Sequence, residues 1–169
     1  MTISESFLPQ FDQEMQITRS CLAQVPTDKM AWKPHVKSMS MGHLASHIAD
    51  MVSWTNGIIG SDEFDVAPPG GEPHQVKDAE TAEELLAMFD KAVAGAHAAI
   101  AGANDATLTG TWTFKYAGNV VVSMPRIANL QAFIVSHIIH HRGQLSVYLR
   151  LNDIPVPSIY GPSADSGPM

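Results

Sequence analysis

Apolar residues recur along this chain with a period near 3.6 in four separate stretches, and that period marks amphipathic helices. Proline sets the limits within which they can run, because an interior proline removes a backbone hydrogen bond and clashes with the preceding turn. The proline-free windows are 10–25, 35–67, 74–124 and 126–154. In the first, the stripe Leu8, Phe11, Met15, Thr18, Leu22, Val25 predicts a helix ending at Pro26. In the second, Ser38 or Ser40 suits an N-cap for a helix through Leu44, His47, Met51, Trp54 and Ile58 to Gly60. Residues 61–80, with Pro68, Pro69, Gly70, Gly71 and Pro73, read as a loop.

Thr81 and Glu84 have capping-box spacing ahead of Leu85, Met88, Phe89, Ala92, Ala96 and Ile100, which predicts a third helix ending near Gly102. The pattern then changes period. Residues 107–123 alternate threonine with Leu108, Trp112, Phe114 and Tyr116 before a Gly118-Asn119 turn and Val120, Val121, Val122, the signature of a small β-hairpin. Ser123 and Pro125 suit the N-cap and first turn of a last helix of about 25 residues that reaches Asn152. Four helices able to bury their stripes against one another, with a hairpin inserted before the last, predict an all-α four-helix bundle. No repeat or linker divides the chain, so residues 1–169 are expected to form one domain.

Composition narrows the partners. The chain is 45% apolar and 16% charged, which suits a folded globular protein. Its formal charge of -7 argues against tracking a nucleic-acid backbone. No uninterrupted apolar run has the length of a membrane span, and the first residues lack the basic and apolar segments of a secretory signal, so a cytoplasmic location and no membrane partner are expected. With Cys21 as the single cysteine, neither an intrachain disulfide nor a multi-cysteine zinc site can form.

Candidate chemistry lies in histidine. Five of the eight histidines fall in two clusters: His43 and His47, then His137, His140 and His141. Each cluster contains two histidines at i and i+4, one turn apart on one helix face, where both imidazoles can converge on a cation. His137 and His141 fall close to the azimuth of Leu130, Ile134, Gln144 and Tyr148, while His140 lies to the side. His47 falls between Leu44 and Met51, with His43 turned toward Asp50, so His47 is the better third ligand and His43 the reserve. One such histidine is most simply a hydrogen-bonded core residue. Three together leave several buried ring nitrogens in need of partners, and a divalent cation satisfies one from each.

Glu-x-x-His, H-E-x-x-H and C-x-x-C-H are absent, which removes the di-iron, zincin and c-type haem schemes. Three neutral nitrogen donors with an open position suit Zn²⁺, Ni²⁺ or Fe²⁺. Asp50, one turn after His47, is a candidate base or ring N–H acceptor; Gln144 and Tyr148 are candidate pocket residues; Arg142 reads as a structural ion pair or a contact with the C-terminal tail.

LASHIADM in the second helix, SHIIHHRGQLSVYLR in the last and the tail VPSIYGPSAD resemble the DinB/YfiT-like superfamily, and Trp32-Lys33-Pro34 and the hairpin are similar too. The most specific element is H-x-x-x-H-R-G-Q. The resemblance implies a four-helix bundle of DinB/YfiT type, a homodimer, and a divalent metal held by His47, His137 and His141. It also implies a small-molecule substrate and S-transfer or isomerisation with a low-molecular-weight thiol such as mycothiol or bacillithiol. A metal-dependent hydrolase is the alternative within the enzyme class. Outside it stands a non-catalytic stress-response protein that binds a metal or a small ligand, with Met51, Trp54 and Met124 lining an apolar pocket.

Overall fold

Helix caps decide where the long segments begin. The computed structural model describes residues 1–167. Helix α1, Ile3–Leu22, starts well before the predicted window and carries Pro9 inside it. Thr2 accepts from the Glu5 N–H at 3.2 Å while the Glu5 carboxylate accepts from the Thr2 N–H at 2.7 Å, a reciprocal capping box. That cap, with Phe7 and Phe11 buried on either side of Pro9, holds the helix through a residue that would otherwise end it. Helix α2, Met41–Gly60, is capped by Ser40, which accepts from the His43 N–H at 3.1 Å, and not by Ser38. Helix α3, Ala82–Gly102, has half of the expected box: Thr81 accepts from the Glu84 N–H, but the Glu84 carboxylate turns to the Glu80 N–H.

The last helical segment changes winding along its length. It begins as α5, Arg126–Asn129, continues as a π-helical stretch over Leu130–Ser136, and becomes α6, His137–Leu151. Ser123 is not its cap, because strand pairing runs on to Pro125, which takes the N-cap position. Helix α3 packs on α1 and α2, while α6 packs on both α1 and α2. The shared core is built from Phe11, Leu22, Leu44, Ile48, Leu85, Phe89, Ile134 and Leu145, all buried. Among the described residues α3 alone has the length and apolarity of a membrane-crossing helix. Asp90 interrupts it and receives two hydrogen bonds from Arg19 of α1, at 2.7 and 2.8 Å.

A small sheet closes one end of the helices, in the order β1-β2-β3. Strand β2, Thr111–Tyr116, pairs antiparallel with β3, Asn119–Pro125. The turn falls on Ala117 and Gly118, with φ of 51° and 79°, one residue earlier than the expected Gly118-Asn119. Positive φ at both central residues gives the handedness that a two-residue hairpin needs. Two features differ from expectation. Residues at the predicted start of the hairpin form a short helix, α4, Asp105–Thr109, capped by Asn104. The segment read as a loop contributes β1, Glu63–Asp65, parallel to β2. Arg126 ties this corner together by donating to the Thr111 and Ser61 carbonyls and the Asp62 carboxylate.

Candidate metal centre

The apolar stripe of α2 is Leu44, Ile48, Met51 and Val52, all buried, and His47 sits half-buried at its edge. On α6 the buried positions are Ile138, His141, Arg142, Leu145 and Leu149, with His137 half-buried one turn before His141. Where α2 and α6 pack, His47, His137 and His141 each place a ring nitrogen so that all three lie within 4.8 Å of one another. The ring centroids are 4.6 Å apart for His137 and His141, 4.8 Å for His47 and His141, and 5.7 Å for His47 and His137.

The tautomer of His141 follows from its partner. His141 Nδ1 lies 2.8 Å from Gln144 Oε1, and a carboxamide oxygen can only accept, so Nδ1 carries the proton. The neutral ring then keeps its lone pair on Nε2, which faces His137 Nε2 at 2.8 Å. Burial, with the neighbouring imidazoles adding to it, pushes the pKa of His47 down to about 4 and that of His137 down to about 4. His141 is lowered as well, first by burial. The rings are therefore neutral near pH 7, the state in which imidazole binds metals. Three neutral nitrogens converging from two helices, one already held in the Nδ1–H tautomer from outside, form a donor set that fits a divalent cation.

Other sequence-selected residues fall elsewhere. His43 Nδ1 pairs with Asp78 at 2.7 Å, and His140 is exposed. The Asp50 carboxylate accepts from the Trp54 indole N–H at 3.0 Å and lies 2.8 Å from His74 Nε2, so its hydrogen-bond partners are those two side chains. Tyr148 turns away, stacking edge-on against Trp32 and donating to the Met39 carbonyl. Arg142 is 1% exposed and pairs with Glu14 at 2.7 Å and with the Tyr160 hydroxyl at 2.6 Å, which makes it both an ion pair and a tie to the tail.

Sequence reasoning missed His74. It sits in the connection between β1 and α3, and that connection lies along α2 through His74 on Asp50, Asp78 on His43 and the Ala79 N–H on Ser46 Oγ at 2.9 Å. Nothing in the local pattern of residues 61–80 announced these contacts; a histidine and an aspartate four residues apart in a Pro/Gly-rich stretch were the only signal.

Comparison with known proteins bears on the fold and the family. A DinB-like protein from Bacillus cereus ATCC 10987 shares the fold with a TM-score of 0.74 at 22% identity, covering 94% of this chain and 98% of its own. A DinB-like protein from Bacillus subtilis has a TM-score of 0.68 at 19% identity, covering 93% and 99%. Curated protein sequences gave no match. The family profile of the DinB superfamily matches residues 10–145, and the chain belongs to that superfamily.

Proposed function

We propose that this protein is a divalent-metal-dependent enzyme of DinB/YfiT four-helix-bundle type, that His47, His137 and His141 hold its ion, and that it transfers a small-molecule group to or from a low-molecular-weight thiol. The observation that carries the metal reading is the approach of three ring nitrogens to within 4.8 Å from two helices far apart in sequence. The thiol reading rests on the family resemblance of H-x-x-x-H-R-G-Q, here His137 through Gln144. A divalent ion with one position open supplies Lewis acidity and lowers the pKa of a bound water or thiol toward neutrality.

The chain's own part is orientation and proton placement. Gln144 holds His141 as the Nδ1–H tautomer and so presents Nε2 to the centre. His137 binds a cation through a ring nitrogen that carries no proton, and its low pKa means that no second proton competes above about pH 5. Partial burial between α2 and α6 excludes water from one side of the rings and keeps them neutral.

Elemental analysis of protein purified without a histidine tag tests the metal reading: one equivalent of Zn, Ni or Fe per chain is expected, and its loss in a His47→Ala, His141→Ala double variant. Substitution with Co²⁺ tests the open position. A change in its absorption spectrum on adding a thiol supports the transferase reading; a spectrum indifferent to thiol and to water-displacing anions favours a closed, non-catalytic site.

A further inference from the structure

Beyond the histidine cluster, α2 runs on past Asp50 to Ser53, Trp54 and Gly57, and there a cavity of about 180 Å³ opens. Seven residues separate His47 from Trp54, which at a rise of about 1.5 Å per residue sets the cavity roughly 10 Å along the helix axis from the cluster. Its other walls are Phe64 of β1, Trp112 of β2 and His74 of the connection that lies along α2. Trp54, Phe64 and His74 pack edge-to-face, with centroids 5.2, 5.4 and 5.9 Å apart, and the Asp50 carboxylate fixes two of them by accepting from Trp54 and pairing with His74. The corner they make is thus rigid before anything binds. Trp112 is 1% exposed, and its indole N–H has no acceptor among the described residues.

Gly57 is the telling residue. Glycine is a poor helix former, and inside a helix it is normally explained by a left-handed backbone or by a neighbour too close for a Cβ. Neither applies: Gly57 is absent from the positive-φ positions, and a Cβ built on it meets nothing within 4 Å. Gly57 is exposed and lines the cavity, so a side chain longer than a methyl group there can reach across its mouth. An enclosed apolar cavity of about 150 Å³ accepts a benzene ring, and this one, open to solvent on one side, is of similar size. We propose that this aromatic-walled cavity is a binding site for the single aromatic ring of an uncharged small molecule, and that Gly57 keeps it open. The site stands whether or not the three histidines hold an ion.

The test uses phenol, a single ring carrying an oxygen, titrated into the full chain freed of metal with chelator and observed through the indole N–H signals of the three tryptophans. Saturable shifts at Trp54 and Trp112 are expected, with Trp32, which packs on Tyr148 elsewhere, unmoved. Gly57→Leu should weaken binding at least ten-fold, with Gly57→Ala between it and the parent. Its melting temperature should hold or rise, because leucine is the better helix former. Phenol binding without metal uptake would sink the metal reading and leave this one; metal uptake without phenol binding would do the reverse. The absence of saturation, or wild-type affinity in Gly57→Leu, overturns the proposal.

Discussion

The two ring nitrogens of His141 have different tasks, and Gln144 separates them. By accepting from Nδ1, its carboxamide leaves the Nε2 lone pair for the cluster. Such outer partners typically contribute ten- to a hundred-fold to metal affinity. Gln144→Leu is therefore expected to weaken Zn²⁺ binding by about 10–100-fold, read by competition with a chromophoric chelator, while the fold is kept because Gln144 is exposed. The pKa values give a second expectation, for the metal-free protein. His47 and His137 titrate near 4 in the folded state and near 6.5 when unfolded. Above pH 6.5 both states leave these rings neutral; as pH falls toward 4 the unfolded chain takes up protons that the folded chain refuses, so stability falls across that window. Urea midpoints of the metal-free protein should drop between pH 7 and pH 4.5, and a His47→Ala, His137→Ala double variant should drop less. A variant that tracks the parent would show that the cluster is already protonated at pH 7 or never buried.

At the scale of elements, what could be read from sequence is what local rules determine. The caps at Ser40 and Thr81 and the stripes of α2 and α3 depend on neighbours three and four residues apart, and both helices lie where the pattern placed them. The i, i+4 pair His137 and His141 was legible for the same reason. Pro9 misled the reading of α1, since a proline rule ignores a strong cap upstream and phenylalanines packed on both sides. Strand β1 could not be seen, because a three-residue strand exists only through its pairing with β2, with Glu63 opposite Thr113. Azimuths counted from Leu130 hold only for a constant 100° per residue, whereas the π-helical winding of Leu130–Ser136 resets the phase just ahead of His137. Ile134 and Val135 are both buried there, as wider turns allow, and the faces of α6 have to be counted from His137 onward. The pairing of Asp50 with His74 was illegible, because it depends on the path of a connection rather than on any period.

Across the whole molecule α6 is held from two sides by adjacent residues. His141 faces α2 and the histidine cluster, while Arg142, rotated about 100° from it, faces α1. The Arg142 guanidinium donates to the Glu14 carbonyl, Thr18 Oγ1 and the Tyr160 hydroxyl, and Tyr160 in turn donates to the Glu14 carboxylate at 2.9 Å. With Arg142 at 1% and Glu14 at 6% exposure, solvent cannot replace a missing partner. Glu14→Ala strands a buried cation and should cost about 3–5 kcal/mol, a large share of the roughly 5–15 kcal/mol of a typical domain. Glu14→Gln keeps an acceptor and should cost less, and Tyr160→Phe, which removes one hydroxyl near the surface, should cost about 1 kcal/mol. Urea unfolding measures all three. If the clamp on α1 and the cluster on α2 are independent supports of α6, Glu14→Ala measured well below its melting temperature will bind Zn²⁺ as the parent does. A loss of affinity there would instead mean that the ion pair sets the rotation of α6, and with it the approach of His137 and His141 to His47.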